Sequence, residues 1–189
     1  GPHRGPDAES ASGRQYELIH GSQRAVVVEV GGGLREYTVD GRAVLDGYGD
    51  RTRCTGARGL PLIPWPNRIR DGAYTFGGSH YQVPITEPDK GNAIHGFLRW
   101  RNWTCRNQEA NHVTMGIVLY LMMGYPFTLY VTGDYLLDAA GLQVSTGAPD
   151  LGHPTCPYAR GHTPTPPIAT DIHHPCMQQT AAGRSIPPA

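Results

Sequence analysis

The chain alternates short apolar runs with turn-forming residues, and this pattern predicts β-strands. The segment "RAVVVEVGGGLREYTVDGRAVLDG", residues 24–47, predicts a strand, a glycine turn, a strand, an Asp-Gly turn and a third strand. Asp40 and Gly41 both tolerate the positive φ that a two-residue hairpin turn requires. The segment "DGAYTFGGSHYQVPI", residues 71–85, repeats this scheme around a Gly-Gly turn. The first half of the chain is therefore expected to consist of hairpins.

The same pattern continues in the second half. The segments "HVTMGIVLYLMM" and "FTLYVTGDYLLDAAGLQVSTGA" predict three more strands. No window sustains the apolar spacing of three and four residues that marks an amphipathic helix. Many short antiparallel strands joined by glycine turns favour a sandwich or a barrel. We therefore expect an all-β fold built as an antiparallel β-sandwich.

A length of 189 residues fits one domain with a sizeable core. Residues 1–13 are small, polar and rich in Pro and Gly, so we expect a flexible leader. Residues 14–189 are then the domain. Its end, residues 149–189, is rich in proline, which cannot donate to a strand ladder and suits central strands poorly.

Charge and hydropathy narrow the range of partners. Lys and Arg number 16 and Asp and Glu number 16, so no net field favours nucleic acid or an anionic membrane. No apolar run is long enough to span a bilayer, and the start carries no signal-peptide pattern. These features favour a cytoplasmic protein with a neutral or polar small-molecule partner, and they leave the oligomeric state open.

Two central segments contain the candidate chemistry. In "PWPNRIRDG", Asn67 begins a loop and Arg68 follows it, and "GNAIHG" places His95 after another turn. Arginine offers several fixed donors that match the oxygens of a sugar, and histidine exchanges a proton near neutral pH. Trp65 or Trp100 would supply an aromatic face for the C–H side of a carbohydrate. A lone histidine in such a setting is more often structural, so these residues define one candidate site among several.

Three other features have simpler interpretations. Glu87 lies close to His95 in sequence and is interpreted as a solvated loop acid rather than a catalytic one. The glycines at 31–33 predict a hairpin turn, because the Lys-Ser/Thr and helix of a phosphate-binding loop are missing. A zinc site could draw on six residues near the end, but they lack paired ligand spacing and are interpreted as scattered. They are His153, Cys156, His162, His173, His174 and Cys176.

Residues 58–103, with "IPWPNRIRDGAYTF" followed by "GNAIHG", strongly resemble the aldose 1-epimerase, or galactose mutarotase, family. The hairpins of residues 25–48 and the segment "GYPFTLYVTGDYLLDAAGLQVST" are similar to further parts of the same family. The resemblance covers residues 14–148 well and the later residues only loosely. It implies the large antiparallel β-supersandwich of those enzymes.

The family's reaction interconverts the α and β anomers of an aldohexose such as glucose or galactose. A base takes the anomeric hydroxyl proton while an acid protonates the ring oxygen, and the ring then opens and recloses. By resemblance Arg68 is the substrate-binding arginine, with Asn67 and Trp65 beside it. His95 is the first active-site histidine, which both binds the sugar and takes part in catalysis. No metal or other cofactor is implied.

The resemblance leaves the proton-transfer groups of this chain open. The family's general-acid histidine corresponds to the segment "PYARGHTPTPP", where Thr163 takes its position and His162 lies one residue earlier. Because a one-residue slip reverses the direction of a strand side chain, His162 serves as the acid only with a local bulge. Nothing here matches the family's general-base glutamate. The alternatives to an active epimerase are therefore a catalytically impaired carbohydrate-binding relative and a truncated product.

Overall fold

The computed structural model describes residues 10–52, 54 and 59–147, together with the backbone of residues 161–162 and 184–186. The regular elements of these residues are all strands. In chain order they are β1 (Gln15–His20), β2 (Gln23–Val28), β3 (Leu34–Val39), β4 (Arg42–Ala43), β5 (Pro61–Leu62), β6 (Arg68–Arg70), β7 (Ala73–Phe76), β8 (Ser79–Gln82), β9 (Asn92–Ile94), β10 (Thr104–Gln108), β11 (His112–Leu119), β12 (Leu129–Asp138), β13 (Gly141–Gly147), β14 (Gly161–His162) and β15 (Arg184–Ile186).

Two larger sheets form the body of the fold. One has the order β1-β2-β3-β4 and the other has the order β10-β11-β12-β13-β15. Three two-stranded ladders, β14-β5, β6-β9 and β7-β8, complete the arrangement. All of these strand pairs are antiparallel. The prediction of an all-β antiparallel fold is confirmed.

The hairpin turns lie where the sequence predicted them. Asp40 and Gly41 have φ of 51° and 74° between β3 and β4. Gly77 and Gly78 have φ of 56° and 79° between β7 and β8. Positive φ at both central residues gives the turn a twist that matches the right-handed twist of the flanking strands. These turns set the registers of the two hairpins.

The core lies between the two larger sheets. Strand β12 alternates buried and half-buried residues along its whole length, as a strand with one face on the core must. Polar side chains also join the sheets: the Tyr37 hydroxyl donates to Gln23 Oε1 at 2.6 Å, and Gln23 Nε2 donates to the Asp138 carbonyl at 2.7 Å. Because these buried groups satisfy one another, the sheets are held by directional bonds as well as by apolar contact.

The glycine loop between β2 and β3 packs into the same core. A Cβ on Gly32 would lie 2.3 Å from the Trp103 ring, so only glycine allows this approach. The hydroxyl of Tyr135 donates to the Gly32 carbonyl at 2.8 Å. The glycines at 31–33 therefore form a packed hairpin loop.

The start of the described chain is packed and differs from the predicted leader. The Ala11 amide donates to the Asp50 carbonyl at 2.9 Å, and the Val30 amide donates to the Ser12 carbonyl at 3.0 Å. Ser12 is only 3% exposed. Residues 10–13 thus belong to the folded body, whereas residues 1–9 lie outside the described residues.

Two short strands belong to the proline-rich end of residues 149–189. Strand β15 lies at the edge of its sheet, and β14 pairs with β5.

The bond between Tyr135 and Gly32 provides a test of this core. Tyr135→Phe should lower the free energy of unfolding by about 1 kcal/mol, because the buried Gly32 carbonyl loses its donor. Tyr120→Phe is the control, since the Tyr120 side chain is 71% exposed. Urea unfolding monitored by fluorescence measures both variants. Equal stability of Tyr135→Phe and the parent chain would contradict the assigned role.

Candidate active site

The site is built on the short ladder between β6 and β9. Arg68 pairs with Ile94 in this ladder, so Asn67 and His95 face each other at its end. The His95 amide donates to the Asn67 carbonyl at 2.9 Å, and the Asn67 amide donates to His95 Nδ1 at 3.1 Å. Both residues have positive φ, 59° and 61°. The structure therefore brings the predicted residues Asn67, Arg68 and His95 together.

Gly96 fixes the position of His95 against the preceding strand segment. The Phe97 amide donates to the Ile63 carbonyl at 3.0 Å, and Gly96 forms a parallel bridge with Ile63. A Cβ at Gly96 would lie 2.0 Å from the Ile63 carbonyl oxygen. Since real Cβ atoms do not approach so closely, this position requires glycine.

The contacts of the His95 ring determine its tautomer. Nδ1 accepts a hydrogen bond from a backbone amide, so the proton of the neutral ring lies on Nε2. Burial lowers the pKa of His95 below the ordinary 6.5, the charges of Arg99 and Arg68 lower it further, and Glu87 opposes them. At neutral pH His95 is therefore an uncharged donor through Nε2–H. This nitrogen has no partner among the described residues.

The Arg68 side chain forms a hydrogen-bonded ion pair with a carboxylate. Its Nε donates to Glu87 Oε2 at 2.5 Å and its Nη2 donates to Glu87 Oε1 at 2.8 Å. Lys90 adds a third contact to Glu87 at 3.3 Å. The bond from Arg68, followed by that from Lys90, outweighs desolvation and lowers the pKa of Glu87 to about 2. Glu87 is therefore a loop carboxylate, as predicted, and it also orients Arg68, which the sequence did not indicate.

The two tryptophans named from the sequence have different positions. Trp65 is 8% exposed and packs edge-on against Phe97, with ring centroids 5.0 Å apart. Its Nε1–H has no hydrogen-bond partner among the described residues. Trp65 thus packs into the core two residues before Asn67, with little of its ring exposed. Its contact with a sugar stays a prediction. Trp100 is 47% exposed and does present an aromatic surface.

The backbone of His162 lies close to the segment that anchors His95. His162 pairs with Pro61 through β14 and β5, and Ile63, two residues after Pro61, bridges to Gly96. One short segment, residues 61–63, is therefore bonded on both sides. The side chain of His162 and all of Thr163 lie outside the described residues, so the choice between them as the acid stays a prediction.

The zinc site and the membrane span that the sequence analysis considered can be checked only in the residues that the structure describes. Within residues 10–52, 54 and 59–147, no three His, Cys, Asp or Glu side chains lie in an arrangement that could hold a metal ion. The side chains considered for zinc, from His153 to Cys176, all lie outside these ranges. The same ranges contain no helix of the length and apolar character that crossing a bilayer requires.

Comparisons with known proteins agree with this fold and show the family. A model of the aldose 1-epimerase family matches residues 14–164. The chain belongs to the aldose 1-epimerase family. The uncharacterized protein YihR of Escherichia coli is 38% identical over 154 residues, which is 81% of this chain and 50% of YihR. The chain spans about half the length of the curated relatives it matches.

Solved structures share the fold at lower identity. A galactose mutarotase-like protein from Clostridium acetobutylicum has a TM-score of 0.64 and 22% identity, covering 71% of this chain and 45% of its own. Galactose 1-epimerase from Lactobacillus acidophilus has a TM-score of 0.58 and 22% identity, covering 71% and 43%. These structures establish the galactose mutarotase-type sandwich for this chain.

The close approach at Gly96 gives one prediction. Gly96→Ala should lower the free energy of unfolding by about 1–2 kcal/mol for positive φ and a further 1–3 kcal/mol for the clash with Ile63. Gly91→Ala is the matched control, because Gly91 also has positive φ, 67°, but open space around it. Urea unfolding measures stability, and the NMR shift of the Asn67 amide reports its bond to His95. Equal effects of the two substitutions would contradict the role of Gly96.

The tautomer of His95 gives another prediction. Nitrogen-15 NMR of the imidazole at pH 7 should show the proton on Nε2, with a pKa below 6.5. Because the pKa in the folded chain is lowered, neutral His95 contributes stability that is present above pH 6.5 and is lost as pH falls through the lowered value. A proton on Nδ1, or a pKa above 6.5, would refute this geometry.

Proposed function

We propose that this chain binds an aldohexose at the Asn67–Arg68–His95 site and takes part in interconverting its anomers, as an aldose 1-epimerase. One observation supports this most directly. The Asn67 amide occupies His95 Nδ1, which leaves Nε2–H as a donor without a partner among the described residues, and the Arg68 charge reaches the same ring. A sugar offers a ring oxygen and hydroxyl oxygens as acceptors for such donors.

The roles of these groups follow from their protonation states. In the proposed reaction a base takes the proton of the anomeric hydroxyl, C1–O1 becomes a carbonyl, and the C1–O5 bond breaks. The ring oxygen O5 then takes a proton from an acid, and closure on the other face reverses these steps. His95, uncharged at pH 7, polarises the ring oxygen by hydrogen bonding and does not release a proton. The acid is then His162 or the group at position 163.

The state of Glu87 favours a second candidate function, binding of a hexose without efficient turnover. A carboxylate with a pKa of about 2 is a weak base at neutral pH, and three contacts from Arg68 and Lys90 already involve its two oxygens. Glu87 therefore does not replace the base that the family resemblance implies. The described side chains of the site are hydrogen-bond donors. We therefore expect the base to be a group other than these side chains.

The partner in either case is an aldohexose such as glucose or galactose. The reaction transfers only protons, so two titrating groups and hydrogen bonds suffice, and the family resemblance implies no cofactor. We expect the activity to belong to carbohydrate metabolism in the cytoplasm.

Polarimetry of freshly dissolved α-D-glucose and α-D-galactose tests turnover, and NMR titration of the chain with each sugar tests binding. His95→Asn is the informative variant, because asparagine tolerates positive φ but lacks Nε2–H. It should weaken hexose binding by about 1 kcal/mol, roughly fivefold in Kd. His20→Asn, at an exposed position in β1, is the matched control.

The outcomes separate the two candidate functions. Accelerated mutarotation that falls in His95→Asn and not in His20→Asn supports the epimerase. Binding with the same dependence on His95 but no acceleration supports the carbohydrate-binding alternative. If neither sugar binds at millimolar concentration, or if His95→Asn binds as well as the parent chain, the proposed site is wrong.

A further inference from the structure

Residues 86–92 form a loop along the edge of β9 that faces away from β6. Alternate residues of an antiparallel strand direct their backbone groups to opposite edges, so Asn92 and Ile94 face this loop. The amides of Thr86 and Glu87 both donate to the Asn92 carbonyl, at 3.1 and 2.9 Å. The Thr86 hydroxyl oxygen accepts from the Ile94 amide at 2.8 Å. The loop is therefore bonded to both the first and the last residue of β9.

The ion pair between Arg68 and Glu87 spans this strand. Arg68 lies in β6 and Glu87 lies in the loop, on opposite sides of β9, and two hydrogen bonds join their side chains. The Glu87 side chain is 15% exposed and that of Arg68 is 44% exposed, so the pair is partly shielded from solvent. A bidentate pair fixes the orientation of a guanidinium as well as its distance. The loop thus holds the side chain of Arg68, while β6 holds its backbone.

The same loop also fixes the backbone next to His95. Thr86 bonds to Ile94, which directly precedes His95. The His95 amide faces the other edge of the strand, where it donates to the Asn67 carbonyl at 2.9 Å. The chain at His95 is therefore held from both edges, and the loop contacts one group beside each of the two ligand-binding candidates, Arg68 and His95.

Glu87 also contributes to the charge around His95. Burial is the main cause of the lowered pKa of His95, the charges of Arg99 and Arg68 lower it further, and the Glu87 charge raises it. Removing that charge should therefore lower the pKa of His95 again. Shortening the side chain by one methylene group would keep the charge but displace the carboxylate from Arg68. The effects of charge and of position can thus be separated by substitution.

We propose that Thr86 and Glu87 are positioning residues of the Asn67–Arg68–His95 site, and that they hold the Arg68 guanidinium and the His95 imidazole at a fixed separation so that both reach one sugar. This inference rests on the proposed function, because it assigns the fixed separation to a bound hexose. Neither residue contacts the sugar in this assignment. Partly exposed ion pairs contribute little to folding stability, so the effect of Glu87 should appear in binding.

The first part of the test measures position by NMR without any sugar. Glu87→Gln should speed the exchange of the Arg68 Nε–H with water and lower the pKa of His95. Glu87→Asp should also speed this exchange but leave the pKa of His95 near that of the parent chain. Thr86→Val should speed exchange of the Ile94 amide, because valine lacks the acceptor, and Thr86→Ser should restore it.

The second part titrates the parent chain and each variant with D-glucose and D-galactose. Glu87→Gln, Glu87→Asp and Thr86→Val should each raise the Kd roughly fivefold or more, because a misplaced donor loses its hydrogen bond to the sugar. Thr86→Ser should bind as the parent chain does. Glu109→Gln and Thr104→Val are the matched controls, since both residues are exposed and lie outside the site. They should leave the Kd and the pKa of His95 unchanged.

Unchanged exchange of the Arg68 Nε–H in Glu87→Gln would overturn the inference. If the parent chain binds a hexose and these variants bind it equally well, the proposed function stands and the inference fails. If the parent chain binds neither sugar, the proposed function fails, and the exchange rates and the pKa of His95 still decide whether Thr86 and Glu87 fix the two side chains. Thr86→Val changes the size of the residue little, so it remains informative if a Glu87 variant does not fold.

Discussion

The site depends on one reciprocal contact, in which the backbones of Asn67 and His95 bond to each other and the Asn67 amide also bonds to the His95 ring. Both residues adopt a left-handed backbone that costs about 1–2 kcal/mol at an ordinary residue. The contact sets the end of the β6–β9 ladder and puts the proton of the imidazole on Nε2. It thereby determines both where the histidine lies and what it can donate.

The two arginines near this contact, Arg68 and Arg99, differ in how far their positive charge is neutralised. Arg68 shares its charge with Glu87, so it acts as a fixed set of donors for neutral oxygens. The contact of the Arg99 guanidinium among the described residues is with the face of the Trp100 ring, which does not neutralise its positive charge. Because burial, and after it the charges of Arg99 and Arg68, lower the pKa of His95, the site also keeps this histidine uncharged at neutral pH.

Local patterns in the sequence were sufficient for the hairpins and for strand β12, because a turn or an alternation is decided by neighbouring residues. The family resemblance placed Arg68 and His95, and the structure brings them together. Three features could not be predicted from local sequence patterns. Glu87 reaches Arg68 only because residues 87–92 fold back, and Trp65 turns inward against Phe97. Ser12, from a segment predicted to be a leader, lines the same pocket as Tyr48.

The segment of residues 61–63 connects the two halves of the candidate chemistry. Its first residue pairs with His162 and its last bridges to Gly96, next to His95. A movement of this segment would therefore displace the backbone of His162 and that of Gly96, next to His95, together, and their separation would change little. The register of β14 alone would alter that separation, because successive residues of a strand face opposite sides. The identity of the acid is thus a question about the β14–β5 pairing, while the binding of the sugar is a question about the β6–β9 ladder.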